Sequence, residues 1–168
     1  GYAIRGYEPG RECDPQLIIE NDPEIVAYLV RPQTLPTELG LGVLNLDIGI
    51  CGEDYVLEVA NLNVSKVGDL GYGWVNIVAA IPSSMPYDSL TNFFLHYDKE
   101  GPIVCFTEYV NLTKEWFMKD VGYQTIFGNK APFIQIGRSV VNGENDNVRI
   151  IKSEGVTEGF PAKGVDII

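Results

Sequence analysis

Five short polar strings in this 168-residue chain carry the side chains able to grip an anion or a nucleotide. Arg31 offers a rigid fork of donors that suits a phosphate or a carboxylate; its plainer reading is a structural ion pair. Gly52-Glu53-Asp54 sets two acceptors beside a residue without a Cβ, so a ligand can approach the backbone there. Both carboxylates would also suit the positive start of a helix with no ligand at all. Asp69-Leu70-Gly71-Tyr72-Gly73-Trp74 is a Gly-rich turn, useful either for bending the chain or for baring amides to a ligand. Thr107-Glu108-Tyr109 closes an apolar run with a hydroxyl, a carboxylate and a ring that can stack on a base or cover a hinge. Glu158 lies in Thr157-Glu158-Gly159-Phe160-Pro161, where it and Glu108 offer loop carboxylates to a ligand or simply to solvent. The single histidine, His96, removes Ser/His/Asp and Cys/His nucleophile arrays and reads as a surface or packing residue.

These strings fall at the ends of apolar runs, which is where α/β proteins place ligand chemistry. Residues 1–24 read as a loop and an edge strand. Ile25–Arg31 reads as a buried strand stopped by Pro32. Thr34 or Thr37 caps a short helix bearing Leu35, Leu39 and Val43, and Leu46–Ile50 forms the next strand. A helix is expected over Glu53–Val59 and a strand over Val75–Ile81. The polar stretch Pro82–Pro86 is the candidate hinge, dividing the chain into lobes 1–82 and 83–168. Further on, helical spacing follows Ser89, and Ile103–Phe106 is a strand. Asn111 is expected to cap a helix carrying Leu112, Trp116, Phe117 and Val121, with Gly122 as its left-handed C-cap. Strands follow at Phe133–Ile136, Val148–Ile151 and Val165–Ile168, with a tight turn at 142–147 and a loop or short helix over 156–163.

The formal charge of −11 shows no basic stripe, which excludes ordinary duplex and membrane-surface binding while leaving phosphorylated small molecules open. With 45% apolar residues the composition is that of a globular protein, and no run is long enough to span a bilayer. Three cysteines cannot all pair, and Cys51 and Cys105 sit in apolar runs. Free thiols in a reducing, cytoplasmic setting are expected, and the start of the sequence shows no secretory signal pattern.

Taken in order, Arg31-Pro32-Gln33-x-x-Pro36, Asp47-Ile48-Gly49-Ile50-x-Gly52-Glu53-Asp54, the Asp69–Trp74 turn, Thr107-Glu108-Tyr109-x-Asn111-Leu112-Thr113 and the Thr157–Pro161 string resemble ATP phosphoribosyltransferase, the first enzyme of histidine biosynthesis. The resemblance weakens over 123–147. It implies an α/β, two-lobed fold similar to type II periplasmic binding proteins, with ATP and phosphoribosyl pyrophosphate held between the lobes. Mg²⁺ would accompany the pyrophosphate, and adenine N1 would displace it from the ribose anomeric carbon. Arg31, Gly52, Glu53, Asp54, Asp69, Gly71, Tyr72 and Gly73 would bind substrate from one lobe; Thr107, Glu108, Tyr109 and Glu158 would face them from the other. A homo-oligomer, with or without a regulatory subunit, would go with it. Two alternatives are a solute-binding protein of the same architecture and a non-catalytic subunit.

The departures are specific. The family's opening strand with Lys-Gly-Arg-Leu and its Thr/Gly-rich 5′-phosphate loop after Val165-Asp166-Ile167-Ile168 are not in these 168 residues, so this stretch alone is expected to be inactive. Thr34 replaces an acidic residue, Asn76 a basic one and Val110 a proline.

Overall fold

Ile103-Val104-Cys105-Phe106 and Val148-Arg149-Ile150-Ile151 are short runs rich in β-branched residues, and they become neighbouring parallel strands. The computed structural model describes residues 3–6, 16–42, 45–59, 63–98, 100–141, 143–153 and 165–168. The fold is mixed α/β, and the chain divides into two units, Gly1–Gly71 and Tyr72–Ile168. The division falls earlier than the expected 82/83 boundary. Ala79 and Ile81 pack on the core of the second unit, and Ala80 exchanges both backbone hydrogen bonds with Ile168.

In the first unit, β1 (Ile4–Arg5), β2 (Gln16–Ile19) and β3 (Val26–Tyr28) form an antiparallel sheet with β2 in the middle. α1 (Leu35–Leu41) follows, closed by Gly42 in the left-handed region at φ 66°. α2 (Glu53–Glu58) is the other helix. The expected buried strand Ile25–Arg31 is shorter than its apolar run, and Ile25, Val26, Tyr28 and Leu29 are exposed. The expected strand Leu46–Ile50 joins no ladder among the described residues and bends at Asp47, with Ile48 and Ile50 69% and 71% exposed. Strand propensity becomes a strand only when a neighbouring backbone pairs with it, and no described backbone pairs here.

The second unit is built on β4 (Ile103–Thr107), β5 (Pro132–Ile136), β6 (Ser139–Val141) and β7 (Asn145–Lys152), in spatial order β4-β7-β5-β6. The β4, β7 and β5 strands are parallel, and β6 turns back antiparallel on β5 through Gly137 and Arg138. Gly137, at φ 59°, supplies the positive dihedral that a two-residue hairpin needs. The turn expected over 142–147 therefore lies partly in β7, because Asn145 already pairs with Pro132.

α3 (Leu90–His96), α4 (Val110–Lys119) and α5 (Val121–Phe127) complete this unit. Ser89 caps α3 by accepting the Asn92 N–H at 3.2 Å. Phe94 sits among edge-on rings, 5.1 Å from Phe117 and 5.2 Å from Tyr123, while Ile150 and Cys105 lie buried in the same core. Burial pushes the Cys105 thiol up to about 12, so it stays protonated at neutral pH.

Neither expected cap of α4 is used. The helix begins after Tyr109, one residue ahead of Asn111 and two ahead of Leu112, and it ends at Asp120. The Asp120 side chain starts α5 by accepting the Tyr123 N–H at 3.0 Å and takes the Thr91 hydroxyl at 2.7 Å. Gly122 lies inside α5, where a Cβ would collide with the Thr91 carbonyl of α3. It is glycine for close helix contact, and its backbone is not left-handed.

The expected strand Val75–Ile81 forms no ladder beyond the Ala80–Ile168 pair, and Trp74 is 82% exposed. At the other end, Val165–Ile168 reduces to one parallel bridge between Ile167 and Cys105. Asp166 secures it: one carboxylate oxygen accepts the Val104 N–H at 2.9 Å and the other accepts the Tyr97 hydroxyl. Burial first, and then that bond, hold the Tyr97 hydroxyl well above its ordinary pKa. The loop or helix expected at 156–163 lies outside the described residues.

Phe94→Ala removes the ring around which this core is arranged, and an unfolding free-energy loss of about 3–5 kcal/mol is expected. Urea denaturation measures it; an unchanged midpoint would contradict the packing described.

Candidate functional site

Arg31 follows β3 and begins the turn into α1. Its carbonyl accepts the N–H groups of Thr34 and Leu35, both at 3.1 Å, and the Thr34 hydroxyl at 3.2 Å. Thr34 is thus a donor to the turn, with no side-chain cap on a helix amide. The Arg31 side chain stands exposed at this corner.

Gly52 precedes α2, and a Cβ there would collide with the Asp54 carboxylate, which folds back over it. A side chain at position 52 would require that carboxylate to move. Glu53 is the first residue of α2, and its carboxylate lies 3.0 Å from the Lys66 ammonium. Lys66 also reaches Asp69 at 3.3 Å, and the other Asp69 oxygen accepts the Gly71 N–H at 2.8 Å. The Gly71 amide first, and Lys66 second, hold the Asp69 carboxyl below its ordinary value. Glu53 and then Asp69 hold Lys66 above its own. Glu53, Asp69 and Gly71, each nominated by the sequence, are therefore joined within the first unit.

Gly71 and Gly73 have φ of 72° and 76°, and an added Cβ would meet no atom within 4 Å at either. Their backbone dihedrals demand glycine, and the space around them is open. Tyr72 stands between them, 74% exposed.

In the second unit, β4 and β7 end together, with Thr107 opposite Lys152. The Thr107 side-chain oxygen accepts the Tyr109 N–H at 3.0 Å and the Thr113 hydroxyl at 3.3 Å, and its carbonyl accepts the Ser153 N–H at 2.9 Å. Thr107 thereby bends the chain from strand into α4, leaving Glu108 and Tyr109 half-buried at the bend. This is the carboxyl end of parallel strands, the position that α/β sheets use for ligands. Glu158 lies outside the described residues. His96 is a surface residue, exposed on α3 with its Nδ1 3.0 Å from the Asn92 carbonyl.

Two participants were not anticipated. Lys66 is the cation between two candidate carboxylates, yet in the sequence it is a lone lysine in a polar stretch. Ser153 has a buried hydroxyl with no hydrogen-bond partner among the described residues. The abrupt end of the β7 apolar run was its only signal.

Comparison with known proteins decides the relationship. A family model described as ATP phosphoribosyltransferase matches residues 31–168. The chain belongs to the ATP phosphoribosyltransferase family. The match spans every candidate residue named above, while β1, β2 and β3 precede it. An ATP phosphoribosyltransferase from Nitratidesulfovibrio vulgaris is 34% identical over 178 aligned positions, covering 100% of this chain and 52% of the relative. One from Afipia carboxidovorans is 29% identical, covering 83% of this chain and 38% of the relative. One from Acidithiobacillus ferrooxidans is 25% identical over 94% of this chain and 72% of its own length. The chain thus spans about half or less of the first two relatives. No solved structure matches it significantly.

Two outcomes are expected from this geometry. The Asp69 carboxylate is held below its ordinary value of 3.8, so its bond to Gly71 is fully present above that value and lost as pH falls through the lowered one. An NMR titration of the Gly71 amide should show a midpoint below 3.8; a midpoint at or above it contradicts the contact. Ser153→Ala removes a buried hydroxyl without a partner among the described residues and should stabilise the protein by about 1 kcal/mol, seen as a higher melting temperature. Destabilisation would show that the hydroxyl has a partner.

Proposed function

We propose that the protein carrying this chain is an ATP phosphoribosyltransferase. It joins N1 of the ATP adenine to the anomeric carbon of phosphoribosyl pyrophosphate and releases pyrophosphate, opening histidine biosynthesis. The observation that carries this reading is the family match over 31–168, which contains all twelve nominated residues. The reading goes with a two-lobed fold similar to type II periplasmic binding proteins. Its lobes are those expected from the sequence, 1–82 and 83–168.

Ribosyl transfer from an anomeric pyrophosphate passes through an oxocarbenium-like state. Catalysis then consists of aligning the nucleophile, neutralising the leaving pyrophosphate and excluding water. Adenine N1 is unprotonated near neutral pH, so attack requires no general base and none is assigned. Arg31 binds a phosphate or the adenine ring, the Gly71–Gly73 turn, whose Gly71 amide is taken by Asp69, turns its Tyr72 and Gly73 amides to phosphate oxygens, and Tyr109 stacks on the base. Glu108 and Glu158 take ribose hydroxyls. Gly52, Glu53, Asp54, Asp69, Tyr72 and Thr107 complete the substrate-binding loops.

Among the described residues no three His, Cys, Asp or Glu side chains are grouped to hold a metal ion. Mg²⁺ would accompany the pyrophosphate and offset its charge. Among the described residues no helix is long and apolar enough to cross a membrane. The protein acts as a homo-oligomer in the cytoplasm.

Thermal-shift measurements on the protein carrying this chain test the reading against a solute-binding role. ATP with Mg²⁺ should raise the melting temperature and free amino acids should not. Arg31→Ala should weaken ATP about ten-fold, equivalent to about 1.4 kcal/mol. Stabilisation by an amino acid with none by ATP would overturn the assignment.

A further inference from the structure

Residues that the sequence nominates separately turn out to hang on one lysine. The Lys66 ammonium lies 3.0 Å from the Glu53 carboxylate and 3.3 Å from that of Asp69, whose second oxygen takes the Gly71 N–H at 2.8 Å. A continuous polar line thus runs from the start of α2, through a cation and a carboxylate, to the amide of a left-handed glycine. All of it lies within the first unit. Two carboxylates facing one ammonium at these distances are within about 6 Å of each other and repel once the cation is removed.

We propose that Lys66 is a positioning residue: through Asp69 it holds Gly71, where the glycine turn begins, to the start of α2, so that the amide end of the turn meets a nucleotide in a fixed conformation. This rests on the nucleotide-binding reading above. Lys66 acts through its neighbours because both of its contacts are with the protein's own carboxylates. The turn needs such a tie. An added Cβ at Gly71 or Gly73 would meet no atom within 4 Å, so packing does little to hold the backbone there. All three charged side chains are substantially exposed, so the tie weakens as salt rises.

The test compares Lys66→Met, which keeps the aliphatic stem and removes the charge, with Lys66→Arg, which keeps the charge. Amide exchange at Gly71 is read first, without ligand, and ATP affinity in the presence of Mg²⁺ second. The Met variant should exchange Gly71 several-fold faster and bind ATP about five-fold more weakly at low salt, with the gap narrowing at high salt. The Arg variant should restore both. Glu53→Gln, which detaches Lys66 from α2 alone, should give a smaller change of the same sign and serves if the Met variant fails to fold.

Unchanged Gly71 exchange in the Met variant overturns the proposal. So does faster exchange with unaltered ATP affinity, or an Arg variant as impaired as the Met variant. If the unmodified protein does not bind ATP, the nucleotide reading falls, and Gly71 exchange by itself decides whether Lys66 holds the turn.

Discussion

Five consecutive parallel pairs join β4 to β7, from Ile103 opposite Val148 to Thr107 opposite Lys152, and this register places everything else in the second unit. It sets Cys105 and Ile150 side by side in the aromatic core beneath the helices. It also brings Thr107 and Ser153 to the same sheet end, where the Ser153 N–H bonds to the Thr107 carbonyl. Side chains alternate faces along a strand, so a slip of one residue would send the Cys105 and Ile150 side chains out of the core. The Thr107 hydroxyl that shapes the Glu108–Tyr109 bend would be misplaced with them. Core packing and candidate chemistry in this unit thus depend on one set of backbone bonds.

The first unit is organised differently. Its sheet is short and antiparallel, and among its described residues little beyond Ile19, Leu35 and Pro36 is buried. Here polar contacts do the arranging: the Arg31 carbonyl gathers the start of α1, the Asp54 carboxylate occupies the space that Gly52 leaves, and Lys66 links α2 to the glycine turn. Such contacts contribute modestly to stability, but they are directional, and orienting groups around a charged ligand calls for direction more than for burial.

Local signals were legible in proportion to how locally they act. Helix starts at Ser89 and Glu53, the strands at 103, 133 and 148, and the polar bend after β4 were all readable from runs and caps. The errors fell where a distant partner decides the outcome. Leu46–Ile50 and Val75–Ile81 have strand composition without a described ladder to join. Gly122 looked like a helix end because its reason, the Thr91 carbonyl, lies 31 residues away in another helix. Of the nominated site, the family resemblance reached every member, but nothing in the spacing could show that Glu53 and Asp69 share Lys66. Ion pairs across a loop leave no periodic trace.

The chain has two tryptophans, Trp74 beside the glycine turn and Trp116 on α4, and both reach solvent. The ring-rich interior is therefore made of phenylalanine and tyrosine, whose emission is weak beside that of indole. Native fluorescence should already be red-shifted and should move little on unfolding, so the usual optical probe of folding is nearly blind here. The same exposure makes Trp74 a reporter of the solvent beside the glycine turn, where it cannot report the fold.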